Sequence, residues 1–142
     1  MRGVLLDVAR WANRDALEPG RAIRTADLDA VAAAQKVEIR TGDAVPIRTG
    51  FLGARRGQWA DYAGGPAPGL SLYSAPWLHD HEIAAIAADT WGVEVRPNEV
   101  DVFQPLHAVA LVHMGLAFGE IFDLEASATS PRPTQPTARL RG

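Results

Sequence analysis

The segment from Pro105 to Glu120, PLHAVALVHMGLAFGE, constrains the fold more than any other part of this chain. Apart from two histidines and the final glutamate, its residues are apolar or glycine, so most of it must be shielded from water. Pro105 suits a first helical turn and Gly115 suits the position just past a helix end. The pattern therefore predicts a helix of about three turns. Because this helix is apolar nearly all round, it is expected to be buried.

Beyond Gly115 the pattern becomes alternating, which predicts a strand. Alternation places four side chains on one face of that strand: Leu116, Phe118, Glu120 and Phe122. Glu120 would then lie among core side chains, where an unpaired carboxylate is strongly destabilising. Three interpretations follow: a metal-binding or catalytic role shared with His107, an edge strand that leaves Glu120 in water, or an ion pair with an arginine such as Arg48.

Composition excludes several classes of function. The 142 residues contain no cysteine, so disulfides, thiolate metal sites and cysteine nucleophiles are excluded. The chain has 14 basic and 17 acidic residues, a net charge of -3. This charge gives no electrostatic argument for binding to nucleic acid. The N-terminal run MRGVLLDVARW has too short an apolar core, with an acidic residue inside it, for a secretory signal or a membrane span. A cytoplasmic location without membrane attachment is the default expectation.

The chain is expected to form one domain over residues 1–126, followed by a disordered tail rich in Pro, Ser and Thr over residues 127–142. Apolar runs predict strands at Val4 to Val8, Ala44 to Thr49 and Ile83 to Asp89, and helices are predicted at Thr25 to Lys36 and after Ser74. Thr25 is expected to cap the first of these helices. Pro46 suggests an edge strand or a bulge. Residues 50–69, rich in glycine, are expected to form a long loop.

Other polar and aromatic residues receive weaker predictions. Asp7 and Asp89 interrupt or end apolar strands and are interpreted as hydrogen-bonded structural carboxylates, with Asp89 the better functional candidate of the two. The remaining assignments are surface positions for His79 and His81, a packed position for His113 and a solvated loop for Arg55 and Arg56. Two interpretations stay open for Trp59, Tyr62 and Trp91: the lining of a pocket for a planar amide, or core positions, which are more frequent for buried aromatics.

Four blocks of the sequence carry a resemblance to a known family. In order they are RGVLLDVAR, GDAVPIRTG, APGLSLYSAPWLHDHEIAAIAADTWGVEV and PLHAVALVHMGLAFGEIFDLE. Together they resemble successive segments of the cyclase family of metal-dependent hydrolases, which includes bacterial kynurenine formamidase and isatin hydrolase. The resemblance covers residues 2–126, and four ordered blocks are more specific than one short motif.

The resemblance implies an α/β fold of mixed β-sheets with packed helices, the swivelling β/β/α domain of cyclases, here incomplete. It implies a homo-oligomer that hydrolyses a small amide, an N-formyl aryl amide or a cyclic one, with a metal-activated water. By the same resemblance His107 and Glu120 match metal ligands, Glu120 is a catalytic residue, and the cofactor is a divalent ion, zinc or manganese, in a complete family member.

The family signature H-x-G-T-H-x-D-x-P-x-H, which supplies the other ligands, does not occur in this chain. Its place in the family precedes RGVLLDV, so the chain is expected to be a truncated member, inactive or nearly so in isolation. The alternative hypothesis is a non-catalytic remnant that acts as an oligomerisation or interaction module. A third, based on the glycine-rich loop and its aromatics, is a ligand-binding α/β domain unrelated to hydrolysis.

Overall fold

The structure, a computed structural model, describes residues 1–129 and shows two parallel sheets. The strands are β1 (Leu6–Asp7), β2 (Ala22–Ile23), β3 (Ala44–Arg48), β4 (Gly69–Leu70), β5 (Ala85–Ala88) and β6 (Ala117–Gly119). The larger sheet has the order β1-β3-β5-β6, and β2 pairs with β4 in the smaller one. The predicted α/β class, with sheets and packed helices, is confirmed.

Helices connect and cover these strands. They are α1 (Val8–Trp11), α2 (Thr25–Gln35), α3 (Phe51–Arg55), α4 (Ala75–Asp80), a π-helix (His107–His113) and α5 (Glu125–Thr129). Parallel strands require crossover connections, which is why helices separate most of the strands along the chain. The helices predicted at Thr25 to Lys36 and after Ser74 are both present, as α2 and α4, although α4 is short.

The helix α2 packs on β1 through its buried face. Leu28 and Val31 are fully buried, and the Gln35 amide bonds to the backbone at both Leu5 and Asp7. The prediction that Thr25 caps α2 was wrong by one residue. Arg24 is the N-cap, and its backbone N–H donates to the Asp27 carboxylate, so an acid inside the first turn performs the capping.

The strand β3 lies in the centre of the larger sheet, so the suggestion that Pro46 marks an edge was wrong. Its ladder with β5 runs without a break across Pro46, whereas its ladder with β1 is interrupted between Ala44 and Ile47. The N–H groups of a parallel strand alternate between its two neighbours, so a proline removes a bond on one side only. Burial of Val45 and Ile47 outweighs that single lost bond.

The predicted loop over residues 50–69 contains the helix α3 and a second, smaller core. Phe51 stacks on Tyr62 with ring centroids 5.5 Å apart, and Leu52 and Ala67 are buried with them. Gly50 begins this segment with φ +75°, and a Cβ there would lie 2.0 Å from the carbonyl oxygen of Asp15. Only glycine fits such a close backbone approach.

The C-terminal region is described only in part. Residues 127–129 of the predicted tail belong to α5, and the rest of the tail lies outside the described residues. Within residues 1–129, no helix is long and apolar enough to cross a membrane.

Candidate functional site

Charged residues collect where the strands of the larger sheet end. Asp7 and Arg48 are the last residues of β1 and β3, and Asp89 and Glu120 directly follow β5 and β6. In parallel sheets the carboxyl ends of the strands form one edge, which is the usual place for a site. The arrangement most typical of a functional site lies at the Glu120 end of this edge.

His107 lies between two carboxylates. Its Nδ1 is 2.6 Å from Glu94 Oε1, and its Nε2 is 3.0 Å from Glu120 Oε1. The Phe118 ring packs edge-on against the imidazole, with centroids 4.6 Å apart. Glu94 is buried, His107 is mostly buried, and the Glu120 side chain is 38% exposed. The pair predicted from sequence is therefore in contact, with Glu120 at the solvent side.

The Glu94 carboxylate accepts four hydrogen bonds. Besides His107 Nδ1, its donors are the backbone N–H groups of Leu106 and His107 and the Asn98 side-chain amide, the last three at 3.1 Å. Three of these partners are N–H donors whatever the state of the ring, which favours His107 Nδ1 as a fourth donor to the same carboxylate. Hydrogen bonding to Glu94, opposed by burial and helped by Glu120, raises the pKa of His107.

The helix that carries His107 differs from the predicted one. It is a π-helix, in which the backbone bonds span five residues, as from Met114 N–H to Val109 O. Leu106 and Ala110 face the core, whereas Leu111 is 45% and Val112 is 72% exposed. The prediction of a helix buried nearly all round was wrong. One face of the helix is apolar but is not covered by any part of residues 1–129. His113, predicted to be packed, is exposed as well.

Glu120 does not lie in the core, and this prediction was also wrong. The strand β6 ends at Gly119, and Ile121 has φ +59°, which breaks the alternation that placed Phe122 on the same face. The chain then crosses the end of β5, where Ile121 N–H donates to Thr90 O. Three interpretations were left open for Glu120. The structure shows the contact with His107 and also partial exposure to water. It excludes the ion pair with Arg48, whose partners are Asp7 and Glu125.

Arg48 instead holds the other end of the sheet edge together. Its guanidinium donates to Asp7 Oδ1 at 2.9 Å and to both oxygens of Glu125 at 3.0 and 3.2 Å. Burial acts to lower the pKa of Arg48, but hydrogen bonds and charge from Glu125 and Asp7 together outweigh it, so that this pKa is raised. The predicted structural role of Asp7 is supported by this pair and by its cap on α1 at Arg10 N–H.

Asp89 is fully buried and serves the backbone. It accepts from Thr49 N–H at 2.8 Å, Thr49 Oγ1 at 2.7 Å and Gly50 N–H at 2.7 Å. Burial raises the pKa of the Asp89 carboxyl, against these three bonds that favour its ionised form. Both oxygens of its side chain accept hydrogen bonds inside the protein, as expected for a structural carboxylate.

The remaining predicted residues lie away from this pair. His79 is exposed, and His81 stacks on Trp77 and bonds to its carbonyl. Tyr62 is buried and donates to Asp89 O, and Trp91 donates to Gly65 O. Of the two interpretations left open for the aromatics, the core role holds for Tyr62. Arg55 and Arg56 pair with Asp61 and Asp123 in exposed ion pairs.

Sequence reasoning missed Glu94. The signal was present, because Glu94 stands between two valines, Val93 and Val95, that are both buried. A lone acid inside a short apolar triplet is as costly to bury as Glu120 would have been. The local pattern signals the buried acid but does not identify its partner.

The groups around His107 match part of what a divalent ion requires. An imidazole nitrogen beside a carboxylate oxygen, with the other ring nitrogen anchored on a second carboxylate, is the usual environment of a metal-binding histidine. A catalytic metal normally has three protein ligands. Among residues 1–129, no group of three or more His, Asp or Glu is placed to hold an ion. The described residues therefore fit two ligand positions of such a site.

Comparison with known proteins places the fold in a family. The family model Cyclase, described as "Putative cyclase", matches residues 1–95. The chain therefore belongs to the Cyclase family. No curated protein matches the chain.

Solved structures agree with this membership. A structure described as a novel cyclase is 32% identical with a TM-score of 0.76, and the match covers 89% of this chain and 42% of that one. Isatin hydrolase A from Ralstonia solanacearum is 17% identical with a TM-score of 0.68, covering 92% and 49%. An isatin hydrolase bound to the product analogue thioisatinate is 21% identical with a TM-score of 0.62, covering 84% and 45%. The chain thus spans less than half the length of the structures it matches.

Proposed function

We propose that this chain is part of a metal-dependent hydrolase and that His107 and Glu120 are two ligands of its divalent ion. The observation that carries the proposal is the 3.0 Å contact between His107 Nε2 and Glu120 Oε1, with Nδ1 held by the buried Glu94. Family membership and the isatin hydrolases among the similar structures support the class of reaction. The proposed substrate is a small amide, cyclic or N-formylated, and the proposed ion is zinc or manganese.

Each residue has a part in this proposal. Glu94 keeps the proton on Nδ1, so the neutral imidazole directs the lone pair of Nε2 toward Glu120. Phe118 closes one side of the ring against water, and Glu120 supplies a carboxylate at the solvent side. A divalent ion bound there would lower the pKa of a water molecule and polarise the amide carbonyl. The two carboxylates and the imidazole carry a formal charge of -2 when the ring is neutral, which favours a cation.

Zinc titration of the isotope-labelled chain tests the ligand assignment. We expect the His107 ring signals to respond to Zn²⁺ before those of the other histidines, and Glu120→Gln to remove most of that response. His113→Ala is the matched control, because His113 lies in the same helix but is exposed and has no carboxylate partner among the described contacts. The assignment is wrong if Glu120→Gln binds Zn²⁺ at His107 as the parent chain does.

Catalysis by the isolated chain is expected to be at background level with isatin or an N-formylated aryl amine, because two ligands leave an ion weakly held. Turnover well above background that disappears in His107→Ala would contradict this expectation of inactivity and would strengthen the ligand assignment.

A second candidate function is self-association, and the exposed apolar residues beside the site favour it. Leu111 and Val112 on the π-helix and Ile121 and Phe122 after β6 are all exposed, and β6 is an edge strand of the larger sheet. We define these four residues as the apolar flank. Apolar side chains beside an unpaired strand edge are a frequent feature of interfaces, and we propose a second copy of the chain as the partner.

Sedimentation at increasing protein concentration tests this candidate. We expect the parent chain to dimerise and Val112→Glu to shift the equilibrium toward monomer, because a charge in an apolar interface is poorly solvated. Tyr73→Glu is the control, since Tyr73 is 65% exposed but lies outside the apolar flank. A chain that stays monomeric at every concentration, or an equal effect of Tyr73→Glu, would exclude this interface.

A further inference from the structure

We infer that Glu94 is a positioning residue that fixes both the tautomer of His107 and the start of the helix that carries it. This inference rests on the proposed function for its consequence in metal binding, but the arrangement itself is independent of any ion. The bond from His107 Nδ1 to Glu94 Oε1 is 2.6 Å, shorter than the backbone bonds that the same carboxylate accepts.

The position of Glu94 is determined by the smaller sheet. Glu94 pairs with Leu70 of β4, and Val95 N–H donates to Leu70 O. Gly69 allows this close approach, because a Cβ at position 69 would lie 2.4 Å from Val93 O and 2.5 Å from the carbonyl carbon of Glu94. The carboxylate is thereby held on a strand-like segment rather than on a free loop, which restricts where its oxygens can lie.

From that position the carboxylate reaches two groups at once. It accepts from the backbone N–H of Leu106 and of His107, two of the donors that the first turn of a helix leaves without partners. It also accepts from the imidazole of the same His107. The ring and the helix start therefore share one acceptor, so a shift of either would break bonds of both.

A third contact limits the rotation of the carboxylate. The Asn98 amide donates to Glu94 Oε2, while Asn98 Oδ1 accepts from Arg96 and from Gln104 N–H. Both oxygens of Glu94 are thus assigned, Oε1 to His107 and Oε2 to Leu106 and Asn98. Nδ1 lies 2.6 Å from Glu94 Oε1, nearer than Nε2 lies to Glu120 Oε1 at 3.0 Å. The inference is therefore that the neutral ring carries its proton on Nδ1 and leaves Nε2, on the Glu120 side, to bind a cation or accept a proton.

The test is the tautomer of His107, read from its ring ¹⁵N shifts without metal at a pH where the ring is neutral. The parent chain is expected to show the proton on Nδ1. Glu94→Ala should lose this preference and show a substantial Nε2-protonated population. Glu94→Gln, whose amide oxygen can still accept from Nδ1, should retain the parent tautomer and remains informative if Glu94→Ala does not fold.

Glu99→Gln is the matched control, because Glu99 is also a hydrogen-bonded acid of this segment but serves Ser71 and Leu72; it should leave His107 unchanged. Zinc affinity provides the second measurement, with an expected loss of about 10–100-fold in Glu94→Ala and much less in Glu94→Gln. A folded Glu94→Ala variant that keeps the Nδ1 proton would overturn the inference. If the parent chain binds no zinc at His107 but shows the expected tautomers, the proposed function fails and the positioning role stands.

Discussion

Replacing Asp89 by alanine is expected to lower the free energy of unfolding by about 4 kcal/mol, which is much of the stability of a domain this size. The substitution removes the acceptor of three bonds from Thr49 and Gly50, two of them from backbone N–H groups. Because Asp89 is fully buried, water cannot take its place, and the unpaired donors keep their desolvation cost. Urea denaturation measures the change directly.

Two further variants distinguish the contribution of these hydrogen bonds to stability from the effect of removing any carboxylate. Asp89→Asn keeps one acceptor oxygen and should cost less than Asp89→Ala, although its amide group faces a donor. Asp29→Ala is the control, since Asp29 is exposed and accepts a single bond, from the Trp77 indole; it should cost about 1 kcal/mol. Equal losses for Asp89→Ala and Asp29→Ala would show that the Asp89 bonds contribute little.

Arg48→Met is expected to destabilise the protein by about 3–5 kcal/mol. Arg48 and Asp7 are both nearly buried, with side chains 11% and 8% exposed, and Asp7 Oδ2 has no hydrogen-bond partner among the described residues. Without the guanidinium, Asp7 would keep a buried negative charge supported only by its cap on Arg10 N–H. Chemical denaturation again provides the measurement.

A double variant identifies the cause of that loss. Asp7→Asn removes the charge and keeps an oxygen for the cap, so adding it to Arg48→Met should recover part of the lost stability. Arg56→Met serves as the control, because Arg56 and Asp123 form an ion pair whose side chains are 55% and 56% exposed, and such exposed pairs contribute little to stability. If Arg48→Met costs no more than Arg56→Met, the buried pair is not the support of this edge.

Several elements were predictable because their sequence pattern and their burial agree. The runs that became β3 and β5 are apolar and lie in the middle of the larger sheet, where both faces are covered. The helix α2 was predictable for the same reason, with Leu28 and Val31 on one buried face. The observed N-cap, Arg24, is one residue before the predicted one, Thr25. Both Thr25 and Asp27 have side-chain oxygens that could cap the helix, and only the folded backbone selects between them.

The site was predictable only in part. His107 and Glu120 were identified as a pair by family resemblance, and they are in contact. Spacing could not have established this, because the π-helix between them breaks the regular helical period on which a spacing argument depends. Glu94 was missed because its importance lies in a contact across 13 residues, which a local pattern does not contain.

The sequence by itself determined the class of fold, the absence of cysteine chemistry and the family, because these depend on the order of apolar runs and on residue types. The tertiary structure decided which charges meet. It paired Arg48 with Asp7 and Glu125, left Glu120 to His107 and water, and placed Glu94 at Nδ1 of the imidazole. The physical reason is that a buried charge takes the nearest available partner in space, and distance in space is set by the packing of the sheets.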